Sequence, residues 1–201
     1  MSNVLVIQSS ILGPYSQSTK LLDNFAVEWK QKHPADNIVV RDLAGEPLPV
    51  LDGEIIAALG GNGELNDRQK AAAELSLALI EEVKTADYVA IAVPMYNFGI
   101  PVQLKTWIDL ICRAGITFSY TEAGPQGLLI GKKVLIVTTT GGAHRNTATD
   151  LALAHAQAVL SFVGLKDITV AYAEALAMGP EAQERGLTDA TNAIQAFIAA
   201  H

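Results

Sequence analysis

At 201 residues, 50% hydrophobic and 17% charged, the chain has the length and composition of one compact soluble domain that buries about 70% of its unfolded surface. A net charge of -7, with no basic cluster, excludes nucleic acid or an anionic membrane as the main partner, because both require a basic face. The single cysteine, Cys112, excludes an internal disulfide, and no Cys/His spacing matches a zinc site.

The first element is a strand at Val4 to Ile7, an unbroken apolar run with β-branched content that suits burial on both faces. A serine-rich turn, SSILGPYSQS, leads into a helix whose apolar stripe is Leu21, Phe25 and Trp29 with Leu22 and Ala26 beside it. Ser16 is placed to cap that helix. Ile38 to Val40 is a second strand, closed by Arg41 and Asp42; residues 43–65 are rich in Gly and Pro and read as a long connection. Asp67 to Thr85 is a helix with Ala72, Leu75, Leu79 and Val83 on one side, and Tyr88 to Val93 is the third strand. Pro101 opens the next helix, which carries Leu104, Trp107, Ile108 and Ile111. Ile116, Phe118 and Tyr120 alternate with polar residues as one arm of an exposed hairpin turning at EAGPQG. A fourth strand at Val134 to Thr138, a helix over about 148–162, a fifth strand at Ile168 to Ala171 and a helix from Glu181 to Ala200 complete a single domain over residues 1–201. The uncharged stretch from Tyr88 to Leu104 is interrupted by Pro94, Asn97, Gly99 and Pro101, so it is no membrane span. The N-terminus lacks the basic region and cleavage site of a signal peptide, and a cytoplasmic location is expected.

Strand and helix alternate, which predicts an α/β fold with a doubly wound parallel sheet in order 2-1-3-4-5, helices on both faces and a small hairpin excursion. In such sheets ligands bind beyond the C-terminal strand ends where chain order reverses. The central strands end at the serine turn, at PMYNFGIP and at TTTGGAHRN, so these three loops surround one crevice. The strand–turn–helix junction presents unpaired N–H groups and the positive end of a helix dipole, and the hydroxyls of Ser9, Ser10, Ser16 and Ser18 with the Gln17 amide add neutral donors. GxxxxGK[ST] and GxGxxG are both absent, which points to a single terminal phosphate held without metal. Met95, Tyr96 and Phe98 offer an apolar platform for a flat ring system, Asn97 a donor and acceptor for a heterocycle edge, and Gly141 with Gly142 backbone N–H groups for developing negative charge. Taken singly, each of these residues is equally well a cap, a core residue or a loop glycine.

SSxLxxYSQS at 9–18, PMYNF at 94–98, AGxTFxYTExGPxGL at 114–128 and T-G-G-x-H at 140–144 together resemble the bacterial FMN-dependent NADH-azoreductases, flavodoxin-like enzymes that also reduce quinones. The resemblance covers essentially the whole chain. It implies FMN, one per subunit, with Ser10, Ser16, Gln17 and Ser18 at the phosphate and ribityl end, Met95, Tyr96, Asn97 and Phe98 at the isoalloxazine, and Thr139, Thr140, Gly141 and Gly142 along its pyrimidine side. It further implies NADH as electron donor, ping-pong two-electron transfer to quinones and azo compounds, and a homodimer with residues of both subunits at each flavin. Thr139-Thr140 replaces the Ser-Arg pair common in that family, which removes a cation near the flavin. No protein nucleophile is evident. His144 is either a proton donor to the acceptor or a solvated loop histidine, and Tyr120 either lines the acceptor pocket or seals the hairpin. A flavodoxin-type electron carrier that does not oxidise NADH, and a binding module without flavin, are the alternatives.

Overall fold

The computed structural model describes residues 1–61 and 63–201. Asn62, in the Gly/Pro-rich connection, lies outside the described residues. The chain runs β1 (Asn3–Gln8), a 3-10 turn (Gly13–Tyr15), α1 (Gln17–Lys32), β2 (Asn37–Asp42), α2 (Gly53–Leu59), α3 (Asp67–Thr85), β3 (Tyr88–Pro94), α4 (Val102–Ile111), the hairpin β4 (Phe118–Thr121) and β5 (Gly124–Gly127), β6 (Lys133–Thr139), α5 (Leu151–Val163), β7 (Asp167–Ala173) and α6 (Pro180–Ala200).

Five strands form one parallel sheet in the order β2-β1-β3-β6-β7, which is the expected 2-1-3-4-5 once the hairpin strands are set aside. Each central strand is a buried apolar run. Successive residues of β1 divide between two buried clusters. Leu5 and Ile7 pack with Leu79, Trp107 and Leu160 of α3, α4 and α5, while Val4 and Val6 pack with Phe25, Trp29 and Phe197 of α1 and α6. This alternation follows from the two-residue period of a strand.

Several boundaries differ from the sequence reading for local reasons. Pro101 occupies the N-cap position of α4 rather than its first turn, so the helix starts at Val102. Residues 43–65 hold the short helix α2, whose N-cap Asp52 accepts hydrogen bonds from the Glu54 and Ile55 amides. The hairpin turns at Glu122 and Ala123, and GPQG is strand β5 rather than turn. Nor is the hairpin free of the domain: Leu129 N–H donates to the Val163 carbonyl at 2.9 Å, and Gly127 lies flat against Gly164, the left-handed residue that ends α5.

That contact requires glycine. A Cβ on Gly127 would come within 2.1 Å of the Gly164 nitrogen, so backbone must move. Gly127→Ala is therefore expected to destabilise the protein by about 2–4 kcal/mol, at the upper end of overpacking costs. Gln126→Ala, on an exposed neighbour in the same strand, is the control and should change stability by less than about 0.5 kcal/mol in urea unfolding.

Candidate functional site

Register brings the loops to one level. Ile7 pairs with Ile91, Pro94 with Thr139, and Thr139 with Ala173. Continuing β1 past Gln8 in the same register puts Ser10 beside Pro94, so the chain leaves the sheet at one height on four adjacent strands. A cavity of about 240 Å³ opens there. The side chains and backbone that line it come from the serine turn (Ser10, Leu12, Tyr15, Ser16 and Gln17), the end of β3 (Pro94, Met95 and Tyr96) and the end of β6 (Thr139, Thr140 and Gly141). None of its lining residues is charged.

One end of the cavity is built by the start of α1. Ser16 caps the helix, its Oγ accepting from Thr19 N–H at 3.1 Å, and no acidic residue sits in the first turn to oppose an anion. The first helical N–H groups, on Gln17 and Ser18, have no intrahelical acceptor and point out of the helix end. Ser16 and Ser18 are both buried and their Oγ atoms meet at 3.1 Å, but Ser16 lines the cavity and Ser18 does not. Ser9 is turned inward, donating to the Ala92 carbonyl at 2.8 Å. Ser10 faces the cavity and shares a 2.7 Å hydrogen bond with the Tyr96 hydroxyl, which ties the serine turn to the end of β3.

After β3 the chain makes a tight reversal. Tyr96 and Gly99 exchange both backbone hydrogen bonds, at 2.9 and 3.0 Å, around Asn97 and Phe98. Both central residues have positive φ, 50° and 67°, the signature of a type I′ turn. Asparagine tolerates this conformation; an aromatic residue rarely adopts it. The turn leaves the Phe98 ring 51% exposed, edge-on to His144 with centroids 5.7 Å apart. Asn97 and Phe98 thus stand at the rim rather than in the cavity wall, whereas Met95 and Tyr96 are half-buried in it.

On the β6 side, Thr140 is buried and donates to the Gly142 carbonyl at 2.7 Å, which curls the turn back on itself. Gly142 is not in the cavity wall; a Cβ there would reach within 2.9 Å of His144 Nε2. Gly141 does line the cavity, but a side chain would touch only the Ala177 methyl at 3.5 Å, so space alone does not demand glycine at 141. His144 Nδ1 is engaged with the Thr149 hydroxyl at 2.8 Å, leaving Nε2 on the side of Gly142. Tyr120 is 75% exposed, stacks edge-on against Phe118, and is absent from this cavity wall.

Leu176, Ala177 and Gln183 also line the cavity, and the sequence reading did not include them. Leu176 and Ala177 enter because the segment after β7 continues to pair with the turn after β6, with Leu176 N–H donating to Thr140 O, Ala177 N–H to Gly141 O and Ala175 N–H to Gly142 O, while Gln183 reaches the cavity from the first turn of α6. Beneath this pairing Tyr172 is buried with its hydroxyl unpartnered, and burial followed by the nearby Asp150 carboxylate pushes its pKa well above the ordinary phenol value. Cys112 sits outside the site. Burial raises its thiol to about 11, which leaves it protonated and inert at neutral pH.

The sequence model of the family described as Flavodoxin-like fold matches residues 2–198. The chain is 90% identical over 201 residues to a protein of Tolumonas auensis named FMN-dependent NADH:quinone oxidoreductase, covering all of both chains. A Shewanella loihica protein of the same name is 50% identical over 199 residues, which is 99% of this chain and 100% of that protein. Among solved structures, an azoreductase from Bacillus anthracis str. Sterne superposes with a TM-score of 0.91 at 26% identity, covering 100% of each chain.

Proposed function

The chain belongs to the flavodoxin-like family of FMN-dependent NADH:quinone oxidoreductases and azoreductases, and we propose that it oxidises NADH and reduces quinones and azo compounds through bound FMN. One observation carries this reading: a cradle of neutral anion donors and a slot with apolar walls occupy the same crevice. The residues suit the cofactor. Helix N–H groups at Gln17 and Ser18, with Ser16 Oγ, match a terminal phosphate; Met95, Leu176 and Ala177 match the faces of a planar ring; Thr139 to Gly141 present polar backbone along one edge. The names of the relatives, which specify NADH and quinone, favour an enzyme over a plain electron carrier.

Ser16, Gln17, Met95 and Thr139 to Gly141 would hold FMN, which would supply two-electron (hydride) transfer between NADH and the acceptor. The protein binds and orients. Ser16 and Gln17 fix the phosphate end, the Ser10–Tyr96 hydrogen bond holds two walls of the slot at a set width, and the paired segments after β6 and β7 close a third wall. Phe98 and His144 form an aromatic edge at the mouth that shields the slot from water, and His144 Nε2 is available to hydrogen-bond a carbonyl of an acceptor there. In this reading the two clusters on either side of β1 are helices covering both faces of the sheet, in one domain over the whole chain. Exposed Phe98, Val102 and Tyr120 support a homodimer in which a partner covers the rim. Among the described residues no helix is long and apolar enough to cross a membrane.

Ser16→Ala is expected to weaken FMN binding by about 1.5–3 kcal/mol, the range for a hydrogen bond to a charged group, while Ser18→Ala acts only through Ser16 and costs less. Riboflavin, which lacks the phosphate, should respond to neither. Because a lost N-cap costs about 1 kcal/mol of stability on its own, the flavin titrations are read beside the thermal stability of the apo forms. Equal losses for riboflavin and FMN would mean that the serine turn is only a cap.

If donor and acceptor use the one opening in turn, initial-rate plots against NADH at several fixed quinone concentrations are parallel; intersecting lines would require both to be bound at once. Sedimentation should give a dimer, and a fully active monomer would remove the partner from the rim.

A further inference from the structure

A second concavity lies at the opposite end of the sheet. Between β2 and α3, a cavity of about 440 Å³ is larger than the one just described. Its cause is local. Val39 projects from the edge strand β2 and stays 41% exposed, because α3 presents alanine, Ala78, where a large residue would cover it, and Ala86 follows the end of the same helix. Leu5 completes an apolar floor, and Asn3 and Asn37 place the cavity at the strand N-termini. From Leu5 to Ser10 the chain climbs five residues, about 17 Å at the rise of a strand, so the cavity is separate from the crevice.

Among the described residues that line it, Glu81 and Glu82 carry charge, and both are carboxylates. Glu82 is neutralised by two hydrogen bonds from Arg41, which approaches from β2. Glu81 has no ion pair among the described residues and accepts only a 3.4 Å hydrogen bond from Thr85. Both glutamates lie in the last turns of α3, where the helix dipole adds negative potential that Lys84, in the last turn but not lining the cavity, partly offsets. An anion would meet a carboxylate at the mouth, and a strongly hydrated ion would gain nothing from the apolar floor. We propose that this groove binds a small organic cation, an ammonium group at Glu81 carried on an aromatic or branched-alkyl body that rests on Leu5, Val39 and Ala78. The proposal stands on this end of the sheet alone and does not depend on the activity assigned to the crevice.

The test uses the full FMN-loaded protein and three probes of similar shape: 2-phenylethylammonium, 2-phenylethanol and 3-phenylpropanoate. In a ¹H–¹⁵N titration the ammonium should give saturable shifts at Val39, Ala78 and Thr85, the alcohol weaker ones and the carboxylate none. Glu81→Gln should reduce the preference for ammonium over alcohol by about two- to fivefold, the effect of one exposed charge. Ala78→Phe should fill the groove and abolish binding; Val39→Lys, on the exposed edge, puts a like charge at the same place and serves if the phenylalanine variant fails to fold. NADH-dependent quinone reduction should be unchanged in all three variants. Equal binding of the alcohol and the ammonium, shifts confined to other regions, or binding that survives both Ala78→Phe and Val39→Lys would overturn the proposal. So would a change in sedimentation caused by Val39→Lys, which would make the groove a contact between copies of the chain.

Discussion

The site hangs from β3. This strand pairs with β1 on one side over Val4 to Ile7 and with β6 on the other over all seven residues from Tyr88 to Pro94. Because the pairing is parallel, every neighbouring chain leaves the sheet in the same direction, and because the register is fixed, they leave at the same height. The hydrogen bond from Met95 N–H to the Thr139 carbonyl carries the ladder one step beyond the strand, and Ser9 Oγ on Ala92 O locks β1 to β3 just below. A one-residue slip of β3 would exchange its two buried faces, bringing Val89 and Ile91 to where Ala90 and Ala92 now pack. Both clusters oppose it, and the crevice inherits their precision.

Electrostatics enters differently from what the overall charge suggests. A chain of net charge -7 does not draw anions from a distance, and no cation lines the crevice. In the proposed function, attraction is instead made locally, from the dipole of α1 and unpaired N–H groups whose geometry is set before any ligand arrives. Such donors lose little conformational entropy on binding, whereas a lysine or arginine would have to be ordered. The Thr139-Thr140 pair extends this design to the β6 side, where Thr140 spends its hydroxyl on the Gly142 carbonyl and stiffens the turn instead of contributing charge.

How far the sequence speaks for the fold depends on whether a residue acts through its side chain. The α3 helix is read correctly from Asp67 to Thr85 because its apolar stripe is regular, and the structure adds a capping box of Asn66 and Gln69 at its start. The strands are legible as apolar runs, and three of the loops at the crevice follow from where those runs end. Leu176 and Ala177 are not legible, since they reach the cavity through backbone hydrogen bonds that any residue type could make. Ser18 looks equivalent to Ser16 in the string, yet Ser16 is the extended N-cap residue that lines the cavity, whereas Ser18 lies within the first turn of α1 and reaches only the Ser16 hydroxyl. The α2 helix is masked by the prolines and glycines around it, and only Asp52 ahead of it carries a start signal.

The turn at Asn97 and Phe98 has a consequence for how this protein can change. Holding a phenylalanine at φ 67° costs on the order of 1–3 kcal/mol, and glycine at the same position would relieve most of it. A change that relieved this strain would also remove the aromatic ring that meets His144 edge-on, so backbone comfort and the shape of this rim are in competition at a single residue.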